Sequence, residues 1–148
     1  MVDASLDAPL APPQSLEAER EVLGALLAYY SPRIVAEVKT IGLSPLDFYY
    51  VSHGAIFGAI LSLDADGAFV DVRTVSRRLG PGLDPAGGEA GLELLVAFAV
   101  PQGVCERARM IVEDSRWRAR LNAAYEIIEA CHLRDAERFA SALTEIAA

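Results

Sequence analysis

Apolar residues recur along this chain at intervals of three and four, the spacing of one face of an α-helix. Val22, Leu23, Leu26, Leu27 and Tyr30 form the first such stripe and predict a helix from about Leu16 to Tyr29. Ser15 suits its N-cap, and Glu17 and Glu19 stand in the first turn, where the helix dipole favours negative charge. Ser31-Pro32 supplies a cap and a first helical residue for a second helix, which Gly42 ends near Ile41. Ser44-Pro45 opens a short turn. A third helix, from about Ser52 to Asp64, buries Ile56, Phe57, Ile60, Leu61 and Leu63. Asp66-Gly67 is a turn signal, and Asp71 or Thr74 can cap a short helix carrying Val75 and Leu79. The text GPGLDPAGG from Gly80 to Gly88 predicts a loop. Leu92, Leu95, Val96 and Ala99 mark a fifth helix, stopped by Pro101.

The last third reads differently. No Gly or Pro interrupts Val104 to Cys131, long enough for a helix of roughly 40 Å at about 1.5 Å per residue. Trp117, Leu121, Ala124, Ile128 and Cys131 follow one another in steps of four and three, the seam of a helix packed on another helix. A break at His132 to Arg134 precedes a second periodic segment with Ala136, Phe139, Ala140, Leu143 and Ile146 on one face. Two helices joined by so few residues are expected to fold back as an antiparallel hairpin. Ala68-Phe69-Val70 is too short for a strand. The predicted class is all-α, a compact helical globular subdomain followed by a long hairpin. The expected organisation is a disordered tail over 1–12, the globular subdomain over 13–103 and the hairpin over 104–148.

Composition narrows what such a fold can do. The chain has 148 residues, 53% of them apolar, which suffices for a core. Its net charge of −8 opposes nucleic-acid binding over the whole surface, which needs a surplus of Lys and Arg, so little direct contact with DNA is expected. Cys105 and Cys131 form no metal-ligand spacing, and two thiols suit a reducing cytosol. The N-terminal MVDASLDAPLAPP lacks the basic and apolar regions of a signal peptide, and no run of about 18 apolar residues could span a bilayer. A cytoplasmic protein with no cofactor and no metal is expected.

Candidate chemistry is thin. The only lysine, Lys39, has no glycine pair before it, so GxxxxGK[ST] is absent and the chain holds no P-loop. His53 would need a carboxylate partner for acid–base work. Asp47, near in sequence, is expected on a separate turn, which leaves His53 packing or capping at the start of the third helix, with His132 exposed in the hairpin turn. Gly87-Gly88 reads as a flexible loop among Asp84 and Glu89 rather than a phosphate cradle. Arg116, Arg118 and Arg120 surround Trp117 and could form a base-stacking patch. Glu113 and Asp114 lie close behind them, which favours a solvated or partner-facing charged helix, with Trp117 in the hairpin core. Each tyrosine pair, Tyr29-Tyr30 and Tyr49-Tyr50, is expected to place one ring in the core. No residue set supports an enzyme.

The segment Pro13 to Leu27, PQSLEAEREVLGALL, resembles the opening of the N-terminal domain of DnaB-type replicative helicases, in which P-x-S-x-E-A-E followed by VLG recurs. DFYYVSHGAIFGAI from Asp47 to Ile60 is similar to the family's D-F-Y…H…I-F block. GAFVDVRTVSRRL from Gly67 to Leu79 resembles its G-x-x-[IV]-D-[LV]-x-T-[VL]…L block. GGEAGLELL with Pro101 resembles the G-G…Y-L…L…P block, Gly91 standing where an aromatic is usual. Arg109 to Glu113 then resembles the start of the family's long helix, so the likeness covers roughly residues 12 to 130. The segment after Ala130 is shorter and richer in alanine than the family's, and the turn at Gly80 to Pro85 is proline-rich.

The resemblance implies a non-catalytic collar domain. In the family, six such domains form a trimer of dimers through hairpin and globular contacts and recruit a DnaG-type primase during DNA replication. The motor, with its Walker motifs, lies in a separate C-terminal domain, and this chain ends about where the linker to it would begin. The expected partners are a second copy through the hairpin, a DnaG-type primase and, in a longer parent, the motor domain. Candidate interface residues are Arg116, Trp117, Arg120, Leu121, Tyr125 and Ile128. The alternative is a stand-alone relative that alters helicase assembly without a motor.

Overall fold

A computed structural model describes residues 10–148. The expected tail over 1–12 lies largely outside these residues. Seven helices follow in order: α1 Leu16–Ala28, α2 Pro32–Ile41, α3 Val51–Ala65, α4 Val72–Leu79, α5 Gly88–Ala97, α6 Val104–Leu133 and α7 Ala136–Ala147. Short 3-10 turns occupy Pro45–Asp47 and Gly80–Gly82, the second inside the segment expected to be a loop. No strand occurs among the described residues, so the fold is all-α. None of the described helices is long and apolar enough to cross a membrane.

The caps show why the helices begin where they do. Ser15 Oγ accepts from the Ala18 N–H and Ser31 Oγ from the Ile34 N–H, each satisfying a free donor of a first turn. Asp71 and Thr74 both serve α4. Asp71 Oδ1 accepts from the Thr74 N–H at 2.7 Å, and Thr74 Oγ1 accepts from the Asp71 N–H at 2.9 Å. Gly42 closes α2 in the left-handed conformation, at φ 93°.

The described residues form two compact units, residues 14–115 and residues 116–148 together with residues 10–13. The division falls within α6, whose first three turns belong to the larger unit. That unit holds the core. Val22, Leu23, Leu26, Ile56, Phe57, Ile60, Val70, Val75, Leu92, Ala108 and Ile111 are among its buried residues. α1 lies against α5 so closely that a Cβ on Gly24 would fall 2.2 Å from the Leu95 carbonyl oxygen. A Cβ on Gly54 would similarly meet the Pro45 carbonyl oxygen at 2.4 Å. Neither tyrosine pair supplies a fully buried ring: Tyr29 and Tyr49 are exposed, while Tyr30 and Tyr50 are half-buried. Tyr30 instead donates through its hydroxyl to Asp64 at 2.9 Å, and packs edge-to-face on Phe69.

One carboxylate has left the solvent. Glu19, 1% exposed, accepts from the Tyr49 N–H at 2.6 Å through Oε1 and bonds His53 Nδ1 at 2.7 Å through Oε2. Asp47 accepts from the Ser44 N–H. His53, half-buried, is thus packed in place near the start of α3, as expected. Its partner comes from α1, not from the nearby turn. Glu21, two residues further along α1, pairs with Arg107 of α6.

Candidate functional site

The second unit is a helical hairpin, and its chemistry is that of a surface. α6 ends in a turn where the Asp135 N–H donates to the Ala130 carbonyl and the Arg134 N–H to that of Cys131. Arg134 takes a left-handed φ of 56°, the one non-glycine residue to do so among those described. Asp135 then caps α7, its Oδ1 accepting from the Glu137 and Arg138 N–H groups. Arg138 reaches back to α6 and pairs with Glu126 at 2.6 Å and Glu129 at 2.7 Å. Hydrogen bonds to these two carboxylates hold its pKa above the ordinary arginine value.

The inner face of the hairpin is narrow and made of small residues. Ala123, Ala130 and Ala142 are buried, with Ile127 and Ile146 half-buried. This corrects the expected packing. The Trp117, Leu121, Ala124, Ile128, Cys131 stripe is not the face that α6 turns to α7, and Trp117 is not hairpin core: its side chain is 51% exposed. At about 100° per residue, Leu121, Tyr125 and Ile128 lie on the side of α6 roughly opposite Ala123 and Ala130. Ala136, Phe139, Ala140 and Leu143, expected to pack inward from α7, are likewise exposed. The alternation of four and three was real. Alanine lined the competing stripe, and its weak apolar signal concealed it.

Four of the six candidate residues thus form an uncovered apolar strip. Tyr125 and Ile128 are 56% and 55% exposed, Trp117 is comparable, and Leu121 is half-buried. The Arg120 guanidinium lies 4.6 Å from the Trp117 ring centroid, holding the indole by a cation–π contact. Arg116 is exposed beside them. Arg118, grouped with them by sequence, donates to the Pro13 carbonyl oxygen at 2.7 Å and so secures the segment leading into α1. Phe139 and Leu143, one turn apart on α7, add a second exposed apolar pair that sequence reasoning had assigned inward. Among the described residues no cluster of His, Cys, Asp or Glu could hold a metal.

Residues 11–114 match the model of the DnaB-like helicase N-terminal domain. The chain belongs to this family. It is 36% identical over 129 residues to the replicative DNA helicase DnaB of Geobacillus stearothermophilus, a match covering 85% of this chain and 28% of that protein. With the replicative DNA helicase DnaC of Bacillus subtilis it shares 34% identity over 130 residues, again 85% of this chain and 28% of the relative. The chain therefore spans little more than a quarter of the curated relatives it matches. The crystal structure of the N-terminal domain of DnaB helicase from Mycobacterium tuberculosis superposes with a TM-score of 0.83 at 29% identity. It covers 92% of this chain and 98% of that one.

The DnaB-like signature now has physical content. In P-x-S-x-E-A-E the serine caps α1 and the second glutamate is the buried acceptor of His53 and Tyr49. The glycine of VLG admits the α5 backbone, and the histidine of the second block completes the buried pair. Two blocks of the DnaB-like pattern, joined by Glu19 to residues 30 and 34 positions on, describe one hydrogen-bonded junction.

Proposed function

We propose that this chain is a non-catalytic collar domain that joins its copies through the outer face of the hairpin and offers a DnaG-type primase a docking surface during DNA replication, in the cytoplasm. The observation that carries the reading is the exposed strip Trp117, Leu121, Tyr125, Ile128 on the side of α6 that α7 leaves uncovered. Large aromatic and aliphatic side chains gathered in one strip gain the most from being covered, since each fully buried one is worth about 1.5–3 kcal/mol. Trp and Tyr are the usual anchors of protein interfaces, and Arg116 and Arg120 supply a polar rim. The names of the relatives, replicative DNA helicases, support a role beside an ATP-driven motor. The work of the domain is then recognition, with any ATP turnover done by a motor that this chain does not encode in a P-loop.

Sedimentation tests the self-association. The wild-type chain is expected to gain mass with concentration, and Ile128→Asp, at an exposed position, to remain monomeric with its fold intact. Equal mass for both proteins at high concentration would refute the hairpin interface. Calorimetric titration with a primase C-terminal domain tests the second partner separately, and absence of heat at high concentration removes primase from the reading.

A further inference from the structure

The molecule is acidic, yet α4 (VRTVSRRL) carries three arginines in eight residues and no acid, the only described helix with basic residues and no acidic one. Its inner side is fixed by buried Val75 and Ser76. Arg78 is engaged, donating to Asp66 at 2.8 Å and also to Ser62. Arg73 and Arg77 are exposed one turn apart on the opposite side, and among the described residues neither makes an ion pair or hydrogen bond. Just ahead of the helix stands Phe69, 65% exposed, with its ring braced edge-to-face on Tyr30 at 5.8 Å. A braced aromatic thus precedes two unengaged guanidiniums by four and eight positions, all three side chains exposed.

We propose that the Phe69, Arg73, Arg77 ridge binds a single nucleic-acid strand, the guanidiniums on two phosphates and the ring beneath a base. Charge complementarity selects a polyanion. The open ring selects a nucleic acid over an acidic peptide, because every base offers a π-face to stack on and a carboxylate chain offers none. The overall charge of −8 does not forbid it. Charges more than about 10 Å away are largely screened at about 0.1 M salt, and the two acids that flank the ridge in sequence are both engaged, Asp66 with Arg78 and Asp71 with the Thr74 N–H at the start of α4. Two phosphate contacts make a weak site, one that guides a strand and does not hold it.

The test is fluorescence anisotropy of the full chain with a short labelled oligothymidine across a salt series. Each phosphate contact on a single strand adds about −0.7 to the slope of log K against log salt, so a slope near −1.4 is expected. Arg73→Gln/Arg77→Gln is expected to abolish that slope and most of the binding while leaving the circular dichroism melt unchanged, since both side chains are exposed. Arg73→Lys/Arg77→Lys, which keeps both charges, is expected to restore it. Phe69→Leu is expected to weaken binding about tenfold at unchanged slope, as loss of one stacked base predicts. The proposal is overturned if the wild type does not bind at low salt, or if the Gln/Gln variant binds equally well. It is also overturned if Arg116→Gln/Arg120→Gln removes the binding instead, or if oligoglutamate competes as strongly as the oligonucleotide.

Discussion

Glu19 is an acidic residue in a first helical turn, a place where the dipole alone would explain it. Its burial against His53 and the Tyr49 N–H gives it a second task, which no local pattern reveals because both partners lie thirty or more positions away. Sequence reading found the residue, the histidine and the family pattern, and missed that they touch. Glu19→Ala is expected to cost about 3 kcal/mol in urea denaturation, since it removes the buried carboxylate that the Tyr49 N–H and the half-buried His53 imidazole share. A cost below about 1 kcal/mol would mean the pair is incidental. At Cys105, burial first and then Glu37, whose Oε2 lies 3.7 Å from Sγ, push the thiol pKa up against a smaller opposing effect of Arg109. The thiolate is the reactive form, so Cys105 is expected to alkylate several-fold more slowly than the exposed Cys131 near pH 8, the gap narrowing as pH rises. Mass spectrometry of partly alkylated protein measures the ratio.

Helix existence followed from periodicity and caps, and all seven helices stand where those signals put them, within a few residues. What periodicity could not show is which elements press together. Gly24 reads in sequence as a helix weakness, yet it is where α5 meets α1. Gly24→Ala is expected to destabilise by about 2–3 kcal/mol, because a backbone oxygen cannot rotate away from the new methyl. Gly58→Ala is the contrast. Its Cβ would meet only Pro45 Cγ at an ordinary 3.7 Å, so the gain in helix propensity is expected to stabilise α3 by about 0.5–1 kcal/mol. Thermal melts of the two variants should move in opposite directions. The hairpin shows the same gap between pattern and pairing. A stripe of Trp, Leu and Ile outweighs a stripe of alanines in any hydrophobic reading, but only alanines let two helices approach closely, and α7 took that side.

For the whole molecule, sequence motifs placed the family and composition, with its single lysine, left no P-loop. Neither could say which apolar face would remain open. That depends on what the chain itself covers, and the strip along Trp117, Leu121, Tyr125 and Ile128 is what it leaves. The assembly reading and the α4 ridge concern separate residues, so Ile128→Asp is expected to lower the sedimenting mass without altering the salt slope of strand binding. A variant that changed both would tie the two surfaces together.

The alanine-lined interior of the hairpin carries one more consequence. Ala123, Ala130 and Ala142 bury little area apiece, so α7 gains little from docking on α6 beyond its cap and the Arg138 pairs. A partner that covers Phe139 and Leu143 would therefore supply much of what keeps α7 ordered, and by mass action helix order becomes a function of concentration. Amide exchange in α7 is expected to slow as the protein is concentrated, while the α1 and α3 amides hold their rates. Folding of the last helix and any association that covers it would then be a single equilibrium.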